Sequence, residues 1–273
     1  MSSVLTEPTR RGDPPAPGAE PLLELRGVGK RFGAVTALSD VDLVVRPAEV
    51  VALVGDNGAG KSTLIKTIAG VHQPDSGEVL VEGVATRIGS PAAASALGIA
   101  TVYQDLALCE NLDVVANLFL GREQARPPLG GRLRRLSDDA MEAAARGVLA
   151  GLSVRIPSLR RPVAGLSGGQ RQAVAVARAV QWGSRLVLLD EPTAALGVEQ
   201  TEMVLDLVTT LRTRGLGVLL ISHNLADVFA VADRIAVLRQ GRNAGTFTVA
   251  DTTVDTVVAA ITGGHLLTPR KGR

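Results

Sequence analysis

The sequence predicts an α/β fold with a mainly parallel sheet, an antiparallel β layer on its N-terminal side and an inserted α-helical subdomain. Three observations carry that expectation. Short apolar runs alternate with helix-like stretches in the last third, which implies a parallel sheet covered on both faces, with ligands at the carboxyl ends of its strands. One apolar run, Val50-Val51-Ala52-Leu53-Val54, feeds a glycine-rich loop and then the helix-like Thr63-Leu64-Ile65-Lys66-Thr67-Ile68. The middle third, Leu106 to Gly165, is rich in Ala, Leu and Arg and poor in β-branched runs, so it reads as mostly helical.

The elements follow in order. Residues 1–20 include Thr9-Arg10-Arg11-Gly12-Asp13-Pro14-Pro15-Ala16-Pro17-Gly18, which has no apolar periodicity to pack and reads as a disordered lead. Three β-like segments at Leu22–Val28, Val35–Leu38 and Val41–Val45 form the expected antiparallel edge layer. Past the loop helix come a turn at Gln73–Gly77, a strand near Val79, an Ala-rich helix over Pro91–Ala96 and a strand at Ile99–Tyr103. Helical periodicity marks Leu112–Leu120 and Asp138–Leu152, separated by a Gly-, Pro- and Arg-rich loop at Arg126–Arg135. The last third predicts strands at Leu186–Leu189, Val218–Ile221 and Ile235–Leu238, and helices at Glu199–Arg212 and Leu225–Val231. Met203, Leu207, Val208 and Leu211 form a predicted core stripe. One domain is expected over residues 21–265, its helical subdomain at about 105–170, and residues 266–273 read as a solvated basic tail.

Composition narrows the function classes. The chain of 273 residues is 46% hydrophobic but only 2% aromatic, so its core must be aliphatic. A formal net charge of +2 is too balanced to argue for nucleic acid, and scarce aromatics argue against base-stacking surfaces. Cys109, the single cysteine, excludes an internal disulfide and is expected to be a small buried hydrophobe. No stretch approaches the ~18 consecutive apolar residues of a membrane span, and the N-terminus lacks the apolar core of a secretion signal. The chain is predicted cytosolic, reaching a membrane only through a partner.

Gly55-Asp56-Asn57-Gly58-Ala59-Gly60-Lys61-Ser62 is a Gly-x-x-x-x-Gly-Lys-Ser loop in the strand-loop-helix setting of a nucleotide phosphate cradle, which Thr63 continues into the helix. Gly55, Gly58 and Gly60 allow backbone conformations that a Cβ would forbid, so that amides converge on phosphate oxygens at a helix N-terminus. Lys61 would reach the β- and γ-phosphates, and the Ser62 hydroxyl would ligate Mg²⁺. The apolar run Leu186–Leu189 ends in two acids. Asp190 would hold Mg²⁺ directly or through water, and Glu191 is placed to polarise an attacking water. Leu166-Ser167-Gly168-Gly169-Gln170 has the Ser-x-x-Gln spacing of a capping box. Two glycines in a first turn, each costing about 1 kcal/mol of helix propensity, suggest a ligand approaching the backbone there.

Phosphate loop, Gln104, Leu166–Gln170, Asp190-Glu191 and His223, in this order and approximate spacing, resemble an ATP-binding-cassette ATPase over about residues 22–262. That resemblance implies a P-loop NTPase, RecA-like core. It also implies a head-to-tail dimer in which ATP lies between the phosphate loop of one chain and the Ser167–Gln170 cap of the other. Phe32 matches the aromatic that stacks on adenine, Gln104 the glutamine that touches Mg²⁺ and the catalytic water, and His223 the histidine that contacts the γ-phosphate. His72 and His265 match nothing functional and read as surface or loop residues. Where most cassettes have Ser-Ala-Leu-Asp after Glu-Pro-Thr, this chain has Ala194-Ala195-Leu196-Gly197. The missing carboxylate puts a cross-dimer hydrogen bond in doubt.

The same Ala-Ala-Leu-Gly resembles the ribose, xylose and fructose importer branch, as do Gly55–Gly60, Val115–Glu123 and His223–Phe229. Each motif occurs once, so the chain is expected to pair with a second copy. The resemblance implies a Mg-ATP-hydrolysing subunit on the cytoplasmic side of the membrane. It would drive a permease through a groove near Gln104 and the helical subdomain, serve a sugar-binding protein indirectly, and touch neither sugar nor nucleic acid. A branched-chain amino acid importer is the alternative in the same class. A soluble cassette acting on ribosomes or DNA fits poorly, having usually tandem cassettes or a long coiled-coil insertion. Glu191 and His223 count against a non-hydrolytic scaffold. The C-terminus is too short for the regulatory β-domain of maltose-type importers.

Overall fold

The computed structural model describes residues 20–125 and 136–264. The predicted loop at Arg126–Arg135, the lead before residue 20, His265 and the basic tail lie outside the described residues. Two sheets and eight α-helices make up the described chain. The first sheet is antiparallel, with β1 (Leu23–Phe32) between β2 (Val35–Val45) and β4 (Ser76–Val81), and β5 (Val84–Ala85) outside β4. Val35–Leu38 and Val41–Val45 are thus one strand rather than two. The polar Ser39-Asp40 step is absorbed where the register with β1 shifts, with Asp40 at φ 58°. Two strands of this layer come after the phosphate loop, although the sequence suggested a layer that precedes it.

The second sheet has the order β10-β9-β3-β8-β7-β6, from β10 (Arg242–Thr248), β9 (Arg234–Arg239), β3 (Val50–Val54), β8 (Gly217–Ile221), β7 (Leu186–Asp190) and β6 (Ile99–Val102). All of its pairs are parallel except β10 with β9. β3 and β8 are buried along their whole length, which explains their unbroken apolar runs. Side chains alternate between two cores. Val50, Ala52 and Val54 face a core shared with Leu118, Met141, Leu149 and Leu207, whereas Val51 and Leu53 face one shared with Leu25, Val45, Leu64 and Ile68.

The helices are α1 (Lys61–Ile68), α2 (Pro91–Ala96), α3 (Val114–Phe119), α4 (Asp138–Gly151), α5 (Gly168–Val180), α6 (Val198–Thr213), α7 (Leu225–Val231) and α8 (Val254–Thr262). α2 begins where Ser90 accepts from the Ala93 amide with Pro91 at the first helical position. The buried face of α6 is Val204, Leu207, Val208 and Leu211, so Val204 replaces the predicted Met203, which is 39% exposed. Position 204 completes the three-and-four spacing with 207, 208 and 211, and position 203 lies about 100° away from it. The predicted burial of Cys109 is incomplete: it is a free, half-buried thiol. The loop around it is pinned by fully buried Asn117, which accepts from the Cys109 amide at 2.8 Å and donates to its carbonyl at 2.9 Å.

Candidate functional site

Four adjacent parallel strands deliver the candidate residues. β3 runs into Gly55, β8 into Ser222 and His223, β7 into Asp190 and Glu191, and β6 into Tyr103 and Gln104. Their carboxyl ends open on one cavity of about 480 Å³, whose lining includes Gly55, Asp56, Asn57, Gln104, Glu191, Ser222 and His223. Residues from four separate stretches of sequence are therefore neighbours because sheet order, not chain order, sets their spacing.

The loop closes on α1 through backbone conformations near or inside the left-handed region. Gly55, Gly58 and Gly60 have φ of 152°, 81° and 105°. A Cβ at Gly60 would lie 2.7 Å from the Ala37 carbonyl, and one at Gly55 2.1 Å from that of Leu238. Glycine at 55 and 60 is thus required by packing within the chain as well as by conformation. The N-terminus of α1 has no side-chain cap and no acid in its first turn. Its first amides therefore have no partner inside the helix and face a field that favours an anion. Lys61 is buried and donates from Nζ to the Gly55 and Asp56 carbonyls at 2.6 and 3.0 Å. Ser62 is exposed, Thr63 half-buried and Ala59 buried.

Glu191 has φ 52°, a left-handed conformation that costs a non-glycine residue about 1 kcal/mol or more. Its amide donates to the Ile221 carbonyl at 3.0 Å, which holds the turn against β8. Its carboxylate meets His223 Nδ1 in a close contact, with Glu191 largely covered and the imidazole 69% exposed. Burial pushes the Asp190 carboxyl above its ordinary range and Glu191 adds to this, against the opposing charges of Lys66 and Lys61.

Gly58–Thr63 and Asp190 adjoin the residues that line this cavity without lining it themselves, and Phe32 and the Ser167–Gln170 segment do not line it either. Phe32 ends β1 with its ring 44% exposed. Ser167 caps α5 in a full capping box, its Oγ accepting from the Gln170 amide at 3.3 Å while Gln170 Oε1 accepts from the Ser167 amide at 3.1 Å. Gly169 has a reason inside the chain. A Cβ there would lie 3.3 Å from the backbone of Gln200, where α5 crosses α6. At Gly168 it would meet only the movable ends of Leu196 and Gln200. The inference from two glycines to a ligand thus narrows to Gly168.

The profile of the ABC transporter family matches residues 38–194. The chain belongs to the ABC transporter family. This ABC protein is 48% identical over 246 residues to the fructose import ATP-binding protein FrcA of Rhizobium meliloti, covering 89% of this chain and 95% of that one. It is 49% identical over 221 residues to the xylose/arabinose import ATP-binding protein XylG of Sulfolobus acidocaldarius, covering 81% and 86%. Against the ribose import ATP-binding protein RbsA 2 of Rhizobium etli identity is 44%, over 91% of this chain but 47% of the relative. Among solved structures, the ADP conformation of MJ1267, an ATP-binding cassette of an ABC transporter, superposes with a TM-score of 0.76 at 26% identity, covering 89% of this chain and 99% of that one.

Sequence reasoning missed three features of this ABC protein's site. Ile261 of α8 and Leu225 of α7 also line the cavity. His72, read as a surface or loop residue with no functional match, lies in the loop after α1 and packs edge-on against Phe32 with ring centroids 5.1 Å apart. Asp227 is buried at 6% exposure and bonded to Thr193 and Asn224. Only the last had a local signal, since Asn224 and Asp227 have the spacing of a helix cap and its third residue.

Proposed function

We propose that this chain is the ATP-hydrolysing subunit of a carbohydrate importer and that its chemistry is centred on Glu191. The observation that carries this reading is the convergence of Gly55–Asn57, Gln104, Glu191 and His223 on one cavity from four neighbouring strand ends. Three relatives named as fructose, xylose/arabinose and ribose import ATP-binding proteins favour sugar over branched-chain amino acids as cargo.

The residues fit Mg-ATP. The uncapped start of α1 and the left-handed glycines suit a polyphosphate, and the Lys61 ammonium would exchange two loop carbonyls for phosphate oxygens. Ser62 and Asp190 would hold Mg²⁺, with Gln104 beside it. The remaining ligands would come from phosphate oxygens and water, as is usual for Mg²⁺ at a nucleotide. Bound there, Mg²⁺ would neutralise charge developing on the phosphates. Glu191 accepts the proton of the attacking water, and His223 orients that carboxylate and reaches toward the terminal phosphate. Phe32 would stack on adenine. Ser167, Gly168, Gly169 and Gln170 would cap the nucleotide of a second copy, making a homodimer the working unit.

No described helix is long and apolar enough to cross a membrane, which suits a subunit docked on a permease at its cytoplasmic side. A groove of about 300 Å³ between α2, β6 and the helical subdomain, lined by Tyr103, Leu118, Leu120, Arg122 and Trp182, is the proposed docking surface. Sugar specificity would then reside in the permease and a sugar-binding protein. The test is Glu191→Gln, whose amide keeps shape but accepts no proton. ATP affinity should stay near wild type while steady-state hydrolysis falls by about 100-fold or more. Near-normal turnover of the purified variant refutes the assignment.

A further inference from the structure

Outside the cavity, one buried carboxylate bridges two of the loops that build it. Asp227 lies in the first turn of α7 at 6% exposure. Its Oδ2 accepts from Thr193 Oγ1 at 2.7 Å, and its Oδ1 accepts from Asn224 Nδ2 at 3.0 Å. Thr193 follows Glu191 by two residues and Asn224 directly follows His223, so the group joins the loop leaving β7 to the loop leaving β8.

The two bonds differ in purpose. Asn224 is the cap of α7, its Oδ1 accepting from the Ala226 amide at 3.0 Å, so its bond to Asp227 is explained by local helix capping. The Thr193 bond has no such explanation. It spans 34 residues, caps nothing, and is a short, part-buried bond to a buried carboxylate. The Glu191 turn needs such a restraint because its left-handed backbone persists only where its surroundings over-determine it. On the near side the Glu191 amide is held by the Ile221 carbonyl. On the far side the Thr193 hydroxyl is held by Asp227.

We propose that Asp227 is a positioning residue which, through Thr193, locks the Glu191 loop to the His223 loop and fixes the contact between those two side chains. Its catalytic consequence rests on the proposed hydrolytic roles of Glu191 and His223; the linkage itself does not. Thr193→Val is the informative variant because it deletes the cross-loop hydroxyl, keeps the shape, and leaves the Asn224–Asp227 cap of α7 in place.

In Thr193→Val, kcat for ATP should fall about tenfold with KM within about twofold, and Thr193→Ser should restore it. A second readout is independent of turnover. The sequence contains three histidines, so ring-labelled histidine NMR of the full chain is simple, and His223→Ala assigns the His223 signal. That signal should shift in Thr193→Val and return in Thr193→Ser. An unmoved His223 signal in Thr193→Val overturns the proposal whatever the rate does. So does a kcat loss that Thr193→Ser fails to rescue, which marks a mere packing role. Wild-type turnover in a parallel Glu191→Gln sample instead refutes the hydrolytic reading and leaves the His223 signal to decide the linkage.

Discussion

Phe32 ends β1 with its ring 44% exposed, edge-on to His72 and with Lys30 Nζ 5.6 Å from its centroid. Lys30 is itself held by Asp75 at 2.9 Å, and the Arg31 amide donates to the same carboxylate at 2.7 Å. That carboxylate lies below its ordinary range because of these hydrogen bonds, the Lys30 bond first. A ring left half exposed, with Lys30 over it and His72 edge-on, has apolar surface to offer a planar ligand. Phe32→Ala should weaken ATP binding by about 1 to 3 kcal/mol, the usual worth of one base–aromatic stack, whereas Phe32→Tyr should bind as wild type. Titration calorimetry on variants with native circular dichroism reads this directly. Unchanged affinity in Phe32→Ala would reduce the ring to a packing partner of His72. The Glu191 turn shows the opposite case, a left-handed backbone whose amide is held by the Ile221 carbonyl at the end of β8.

Among the elements, β3 and β9 are fastened at their starts by a buried ion pair. Glu49, fully buried, accepts from Arg234 Nη1 at 2.9 Å and from the Arg46 amide at 2.7 Å. Next to it Asp233 accepts from the Val50 amide at 2.8 Å and pairs with Arg212. Arg234→Met would leave the Glu49 carboxylate buried without its cation, so stability in urea unfolding should fall by about 3 kcal/mol at unchanged m-value. A loss below about 1 kcal/mol would show that the strand starts open to water and re-solvate the carboxylate. None of this pairing was legible in the sequence, because Glu49 and Arg234 are 185 residues apart and nothing local relates them. What was legible had a local cause. The buried strands β3 and β8 and the buried Leu186–Leu189 of β7 announce themselves as apolar runs, α2 through its Ala-rich stretch after Pro91 and α5 through the Ser167–Gln170 box. β10 was missed because Arg242–Thr248 is an exposed edge strand without an apolar face. α8 was missed because Val254 and Val258 stay exposed while only Val257 is buried, which blurs its periodicity. At the site, strand-end residues were readable from their apolar lead-ins. The Thr193–Asp227 link and the Phe32–His72 pair were not, since both are made by tertiary approach alone.

For the molecule as a whole, the geometry of one chain leaves the Ser167–Gln170 cap outside the cavity that its strand ends form. The phosphate loop opens beside Gln104, Glu191 and His223, while the Ser167 cap of α5 is exposed and lines none of that cavity. A helix N-terminus whose cap residue is exposed is suited to an anion held by another molecule. If two copies meet head to tail, each ATP lies between one chain's Lys61 loop and the other's Ser167 cap, and that arrangement has a signature no single-chain site shares. Homodimers of Lys61→Ala and of Ser167→Arg should both be nearly inactive, because every site in either contains one damaged half. Mixing the two variants forms heterodimers in which one site combines both lesions and the other joins an intact loop to an intact cap. ATPase activity in the mixture should therefore exceed the sum of the parents, with ATP-dependent dimerisation by analytical ultracentrifugation measured on the same samples. If heterodimers form with ATP and activity stays at the parental level, hydrolysis demands two competent sites and the second copy still supplies the cap. If ATP promotes no dimerisation in wild type and no activity returns on mixing, the shared site is wrong and Ser167 is only the cap of its own helix.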